Sequence, residues 1–218
     1  MNWAWTMHTQ GLNAAYDVAG SNYPPLYLYV LAGVGHAAAA LHLAGFGPTD
    51  ATEIPLPAAL TVFLKLPGVA VDVLLGLAVY KAARRLSGHR AAAWAMTLVL
   101  FNPALLYATA WWGQIDSLHT LLMVMAVEAA LAGTVALSGS AYALALLTKL
   151  QSIVIAPVLA VLAVRSGRRQ VAAGLLGGIA TAVAGLAPFI LSSHLTAVLN
   201  VYKGADHTFP FATGSAFN

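Results

Sequence analysis

A short polar segment at residues 111–117, with the sequence Trp-Trp-Gly-Gln-Ile-Asp-Ser, carries the side chains best suited to chemistry. Its amide is Gln114 and its carboxylate is Asp116, and apolar runs at 91–110 and 118–137 flank it. Polar groups between two lipid-embedded runs are costly unless they have a function. A carboxylate can accept a proton, and an amide can both donate and accept hydrogen bonds. We therefore expect Asp116 and Gln114 to belong to a functional site.

Two lysines also lie inside apolar runs and could bind phosphate. Lys149 and Gln151 stand where we expect a helix to break, ahead of Pro157. An ammonium group at such a break is a good point-charge ligand for a lipid-linked phosphate, although it could instead cap the carbonyls of the broken helix. Lys65 either binds phosphate or extends its ammonium group toward the membrane surface.

Two acids in apolar runs favour a structural interpretation. Asp72 follows Lys65 by two helical turns, which places both on one helix face but too far apart for direct contact. We expect each to find a partner on another helix. Glu128 has only small apolar neighbours and is expected to serve helix packing or the membrane interface.

The composition predicts an all-α, polytopic helical membrane protein. Hydrophobic residues make up 60% of the chain and charged residues only 8%, whereas soluble domains carry about 25% charged residues. The absence of cysteine excludes disulfides and thiolate chemistry. The basic residues form short clusters between apolar runs, which argues against a nucleic-acid partner and for cytoplasmic loops. The seven histidines are scattered, so we expect neither a metal nor another cofactor.

Two basic clusters, at 81–90 and 165–169, constrain the topology. Both should be cytoplasmic, yet three apolar runs separate them, so one run must be split or re-entrant. The best candidate is 140–164, with a break at Thr148–Gln151. The polar segment then lies outside, and the run 26–46 becomes an interfacial or re-entrant helix. The expected membrane helices cover 58–80, 91–110, 118–137 and 171–191.

We treat 1–218 as one transmembrane domain: an outer segment with an interfacial helix at 1–57, membrane helices at 58–191, and an outer tail at 192–218. The prolines at 24–25 should end any helix before them. The glycines at 174, 177, 178 and 185 should allow close helix packing.

Several of these features, in this order, resemble multi-spanning glycosyltransferases of the GT-C class. The nearest likeness is to bacterial relatives of the GPI mannosyltransferases and of the dolichyl-phosphate-glucose-dependent glucosyltransferases. The motifs that carry it are Tyr-Pro-Pro-Leu at 23–26, Lys-Leu-Pro at 65–67 with Asp72, Phe-Asn-Pro at 101–103, Trp-Gly-Gln-Ile-Asp-Ser at 112–117, Lys-Leu-Gln at 149–151 with Pro157, and Ser-Ala-Phe-Asn at 215–218.

The resemblance implies an inverting transfer of a hexose, such as mannose, from a polyprenyl-phosphate-linked donor to a lipid or glycan acceptor. The reaction would take place at the outer face of the cell (inner) membrane, in a multi-pass protein surrounded by membrane lipid. Basic and amide groups (Lys65, Gln114, Lys149 and Gln151) would bind the donor phosphate, and an acid of the first outer loop would act as the base.

In the family the catalytic acid follows a first membrane helix, and in this chain the only acid before Tyr-Pro-Pro-Leu is Asp17. Asp17 and Asp116 are therefore the candidate catalytic acids, and we expect a chain truncated at both ends, with its principal base upstream of Met1. Two alternatives are a transporter or flippase of a lipid-linked or polar substrate, and a non-catalytic membrane subunit.

Overall fold

The computed structural model describes residues 2–18, 20–47 and 57–203. Within these ranges the chain is helical without strands, which confirms the all-α fold class. A π-helical turn (Tyr107–Trp112) and a 3-10 segment (Leu150–Ile155) interrupt the α-helices. The α-helices are α1 (Asn2–Gln10), α2 (Ala14–Asp17), α3 (Pro25–Ala40), α4 (Ala58–Leu100), α5 (Pro103–Leu106), α6 (Asp116–Leu131), α7 (Val135–Thr148), α8 (Ala156–Arg165), α9 (Arg168–Leu191) and α10 (Leu195–Lys203).

α4 is a helical hairpin that reverses at Gly88. This glycine has φ 77° and ψ −179°, a conformation that side-chain-bearing residues rarely adopt. A Cβ on Gly76 would lie 2.9 Å from the Leu100 side chain, whereas a straight helix would separate these residues by about 36 Å. The chain thus reverses within the predicted loop at 81–90, but only at Gly88, and the rest of that segment is helical. Lysine and arginine are good helix formers, so the helix continues up to the single glycine that turns the chain.

The next two predicted spans end earlier than expected. The run 91–110 leaves the α-helix at Phe101, because Pro103 disfavours helical geometry in the residue before it. The run 118–137 ends with α6, and Gly133, at φ 78°, turns the chain into α7. Apolar composition alone did not reveal these breaks.

The predicted break in the run 140–164 is confirmed. α7 ends at Thr148, and Lys149 is extended, with φ −154° and ψ 137°. The 3-10 segment and α8 then return the chain toward the end of the bundle at which α7 began. The break is held by the Ser152 hydroxyl, which is buried and donates to the Ala145 carbonyl at 3.0 Å.

Glycines bring α7 and α9 into close parallel contact. A Cβ on Gly139 would lie 1.9 Å from the Gly174 carbonyl oxygen, and one on Gly185 would lie 2.6 Å from Leu147. Matched positions advance together along both helices, so α7 and α9 run parallel. The expected packing role of the glycines in α9 is confirmed.

The two basic clusters lie at the same end of the bundle, as the topology argument required. Arg85 forms an ion pair with Glu128 near the end of α6. Val135, at the start of α7, contacts Gly174 in the first part of α9. The α4 reversal, the α6–α7 turn and the α8–α9 turn therefore share one end, which we call the basic end. The polar segment and Lys149 occupy the opposite end.

The N-terminal helices pack at that opposite end, against the last part of α9 and against α10. A buried cluster joins them: Met7, Ala15, Leu28, Phe189 and Val198. α3 begins at Pro25, directly after the predicted proline stop. α1, α2 and α10 were not predicted. The expected motif at 215–218 and residues 48–56 of the expected outer segment lie outside the described residues.

Two helices in the described ranges, α4 and α9, are long and apolar enough to cross a membrane. Three shorter apolar helices accompany them, at Pro25–Ala40, Val135–Thr148 and Leu150–Arg165. Whether α3 lies in the membrane interface stays a prediction.

Candidate functional site

The π-helical turn sets the position of the polar segment. Asn102 caps the preceding short helix by accepting from the Ala104 N–H at 2.9 Å. The turn ends at Gly113, whose φ of 80° places it in the left-handed region. The Gln114 N–H then donates back to the Ala108 carbonyl at 2.8 Å. Insertions of this kind in helices are frequent at functional sites, because they redirect side chains without breaking the backbone ladder.

The buried Asp72 carboxylate holds the polar segment in place through hydrogen bonds. Its carboxylate, in a residue only 8% exposed, accepts hydrogen bonds from the hydroxyls of Thr109, at 3.2 Å, and Ser117. Asp72 therefore finds its partners on other elements, as expected from the cost of a lone carboxylate at this depth. The hydroxyl groups that supply them were not identified from the sequence, although Ser117 lies within the polar segment.

Lys65 hydrogen-bonds the backbone where the same segment begins. Its ammonium group donates to the carbonyls of Ala110, at 2.6 Å, and Trp111, at 3.0 Å. These carbonyls lie at the end of the π-turn, where helical carbonyls lack intrahelical donors. Beside them, Lys65, Gln114 and Tyr27 line a small cavity of about 20 Å³, enough for roughly one water molecule.

The central feature of the site is an ion pair between Asp116 and Lys149. Asp116 begins α6, and Lys149 occupies the break after α7, so two separate sequence motifs meet here. The Lys149 side chain is only 14% exposed, whereas that of Asp116 is 34% exposed. The carboxylate is thus partly accessible to solvent, whereas the ammonium group is mostly buried.

Two further side chains lie close to this pair. Burial raises the pKa of Tyr23, and the negative charge of Asp116 raises it further, which places the phenol near that carboxylate. His119 lies one helical turn after Asp116, and its buried Nδ1 has no hydrogen-bond partner among the described residues. Asp116 and His119 both lie in the first turn of α6.

The other two predicted site residues, Gln151 and Asp17, are both exposed. Gln151 is exposed on the 3-10 segment. Asp17 ends α2, and its carboxylate is 2.9 Å from Nε2 of His194, just after α9. This pairing was not predicted, because 177 residues separate Asp17 and His194. Glu128, by contrast, has the structural role expected of it, in its ion pair with Arg85.

No group of three or more histidine, aspartate or glutamate side chains in the described ranges could hold a metal ion. The chemistry available at the site is that of an ammonium group, carboxylates, an amide and phenols. Such groups can bind an anion and a polyhydroxylated ligand together.

A family model described as the ALG6, ALG8 glycosyltransferase family matches residues 12–215 of this chain. The match spans nearly the whole sequence, and the chain belongs to this family. It is accordingly a membrane glycosyltransferase that uses a lipid-linked sugar, which confirms the GT-C class. No curated protein and no solved structure matches the chain.

Proposed function

We propose that the protein transfers a hexose from a polyprenyl-phosphate hexose to a lipid or glycan hydroxyl, with inversion at the anomeric carbon. The observation that carries this proposal is the Asp116–Lys149 ion pair. The pair consists of a solvent-accessible carboxylate and a mostly buried ammonium group. It lies at the end of the bundle that also contains Lys65 and Gln114.

Lys149 is the proposed ligand of the donor phosphate. When the bond from C1 to the phosphate oxygen breaks, negative charge develops on the departing polyprenyl phosphate. An ammonium group already in place stabilises that charge without reorganisation. Asp116 accepts from one of the three N–H groups of the Lys149 ammonium group and orients it. Gln114 and Gln151 are proposed as further hydrogen-bond donors to the phosphate or the sugar.

The two acids are proposed for the acceptor side of the reaction. As the acceptor oxygen attacks C1, its proton must pass to a base within hydrogen-bond reach. Asp116 is accessible at 34%, and Asp17 at 51% with His194 bonded to one of its oxygens. Either carboxylate could receive the proton, and the polyprenyl phosphate leaves as the second product.

The charge distribution supports a reaction at the outer face of the inner membrane. Lys81, Arg84, Arg85 and Arg90 lie at or near the α4 reversal, and Arg165, Arg168 and Arg169 flank the α8–α9 turn. Cytoplasmic loops of multi-pass proteins are enriched in such residues. With the basic end inside, the Asp116–Lys149 pair faces outward.

The test uses purified protein with radiolabelled polyprenyl-phosphate glucose and polyprenyl-phosphate mannose, and a membrane lipid extract as the acceptor source. Asp116→Asn and Lys149→Met should each lower sugar transfer by about a hundredfold, since each removes a preorganised charge. The matched control is Glu128→Gln, which breaks an ion pair at the opposite end and should retain transfer. Transfer at the wild-type rate by both site variants would overturn the assignment.

Asp17 is tested separately by Asp17→Asn. If Asp17 is the base, the rate constant for transfer falls while the dissociation constant for the donor stays unchanged. An unchanged rate constant leaves Asp116 as the base. Inversion is checked by NMR of the product, whose anomeric configuration must be opposite to that of the donor.

A further inference from the structure

The contact between Asp17 and His194 depends on the turn that ends α9. In this turn the Ser193 N–H donates to the Ile190 carbonyl at 3.2 Å, and the His194 N–H donates to the Phe189 carbonyl at 2.8 Å. Many helices end with this pair of bonds, and the residue before the second donor is then usually a glycine in the left-handed region. Here that residue is Ser193, with φ 63°.

The conformation of Ser193 is one that a residue with a side chain rarely adopts. It costs energy that glycine would avoid, and such conformations persist where the surrounding structure fixes them, often at functional sites. The turn brings the His194 ring between two partners. Its Nε2 is 2.9 Å from Oδ2 of Asp17, and its Nδ1 is 3.0 Å from the Ser192 hydroxyl.

The hydrogen bonds around the His194 ring have a definite direction. The Ser192 hydroxyl donates its only proton to the Pro188 carbonyl at 2.6 Å, so toward Nδ1 it can only accept. An ionised carboxylate also only accepts. The ring therefore donates on both sides, from Nδ1 to the end of α9 and from Nε2 to Oδ2 of Asp17, which fixes its orientation.

The Asp17–His194 contact is not needed to dock α2 onto the bundle. The ring of Tyr16, directly before Asp17, packs edge-on against Phe189 with the ring centres 5.6 Å apart, and Phe189 is fully buried. The Asp17 and His194 side chains are 51% and 29% exposed, and ion pairs at such positions add little stability. A strained turn that orients one exposed carboxylate is better explained by a role for that carboxylate.

We propose that His194 is a positioning residue that holds Asp17 as the base for the acceptor hydroxyl. The inference rests on the proposed function and selects Asp17 over Asp116 for this step. With Oδ2 bonded to His194, Oδ1 is turned to the acceptor. The acceptor oxygen forms its bond to C1, its proton passes to Oδ1, and the bond from C1 to the phosphate oxygen breaks with its electron pair leaving on the polyprenyl phosphate. A carboxylate fixed in this way does not have to be ordered during the reaction.

Two amide variants separate the two ring nitrogens. In His194→Gln the amide nitrogen takes the place of Nε2 and still reaches Asp17, whereas in His194→Asn it takes the place of Nδ1 and does not. His194→Asn should lower kcat for sugar transfer by about tenfold, the equivalent of one hydrogen bond to a charged group. KM for the donor should stay unchanged, because the donor phosphate is assigned to Lys149. His194→Gln should stay within about threefold of wild type.

The matched control makes the same change at the opposite end of the bundle. Nδ1 of His89 is 2.6 Å from the Tyr80 hydroxyl at an exposed position, so His89→Asn also removes one histidine contact. It should transfer sugar at the wild-type rate. The melting temperature of each variant verifies that it is folded, and Ser193→Gly should raise it without lowering transfer, because glycine adopts the turn without strain.

A double-mutant cycle tests whether His194 acts through Asp17. In the Asp17→Asn background, His194→Asn should cause no further fall in kcat, because the carboxylate that it positions is already gone. Full additivity of the two substitutions, a wild-type kcat for His194→Asn, or a wild-type kcat for Asp17→Asn would overturn the inference and leave the proposed function with Asp116 as the base. Absence of transfer by the wild type would overturn the proposed function and this inference together.

Discussion

Asp72 and Ser117 share a buried hydrogen bond although 45 residues separate them in sequence. Asp72 lies in the first arm of α4, and Ser117 lies at the start of α6, immediately after Asp116. The same carboxylate also accepts from Thr109 in the π-turn. The buried Asp72 carboxylate thus fixes the position of the polar segment relative to the helix bundle.

Replacing Thr109 with valine should destabilise the protein, because the buried Asp72 carboxylate loses one of its two hydroxyl donors. We expect Thr109→Val to cost about 1–3 kcal/mol of unfolding free energy, seen as a lower melting temperature in detergent. Thr97→Val is the matched control, since the Thr97 hydroxyl bonds only to the Ala93 carbonyl of its own helix, at an exposed position. Equal stability of the two variants would show that the Asp72 contact contributes nothing.

Lys65 should be required for the geometry of the polar segment. Lys65→Met leaves the Ala110 and Trp111 carbonyls without their ammonium donor, and we expect sugar transfer to fall by about tenfold, the equivalent of one charge-assisted hydrogen bond. Lys65→Arg keeps a cation with several donors and should retain more activity than the methionine variant. The measurement is the rate of transfer at saturating donor, and equal rates for methionine and arginine would contradict this role.

The contact between α7 and α9 should tolerate no side chain at Gly139. A Cβ there would overlap the Gly174 carbonyl, so Gly139→Ala must push α9 away from α7 and should lower the melting temperature markedly. Gly33→Ala is the control, because open space surrounds that position and alanine favours the helix by about 1 kcal/mol over glycine. An unchanged melting temperature for Gly139→Ala would contradict this close contact between α7 and α9.

Alkaline pH should weaken the contact of α10 with the bundle. Burial raises the pKa of Tyr202 from 10.0 to about 12, and its hydroxyl donates to the Leu146 carbonyl at 3.1 Å. A folded-state pKa above the unfolded one gives stability that is fully present below pH 10 and is lost as pH rises toward 12. Wild type should therefore be more stable than Tyr202→Phe at pH 7, and this difference should disappear by about pH 12, as measured by melting temperature. A constant difference across that range would contradict the assignment.

The sequence predicted the general architecture and the break at Lys149 because both follow from local composition and from the placement of basic residues. A lysine and a glutamine inside an apolar run are costly, and two basic clusters on one side require one run to double back. The reversal between the spans 58–80 and 91–110 was predicted as well, but its restriction to Gly88 was not, since good helix formers surround this one glycine. Gly133, which ends α6 inside an otherwise apolar run, was not identified either.

The candidate site residues could be selected from the sequence, whereas their partners could not. Asp116 and Lys149 both stood out as ionisable groups beside apolar runs, but their mutual contact depends on how α6 and α7 pack, which no local pattern specifies. The partner of Asp17 was likewise hidden, because His194 lies at the far end of the chain.

The central claim is that Asp116 and Lys149 act on the donor and do not merely hold α6 against the break. The most direct measurement compares the exchanged variant Asp116→Lys/Lys149→Asp with the two single variants, for both melting temperature and sugar transfer. Exchange re-forms an ion pair but moves the cation away from the phosphate. The account predicts that stability recovers toward wild type while transfer stays about a hundredfold lower. Recovery of transfer together with stability would contradict it, because the pair would then be structural only.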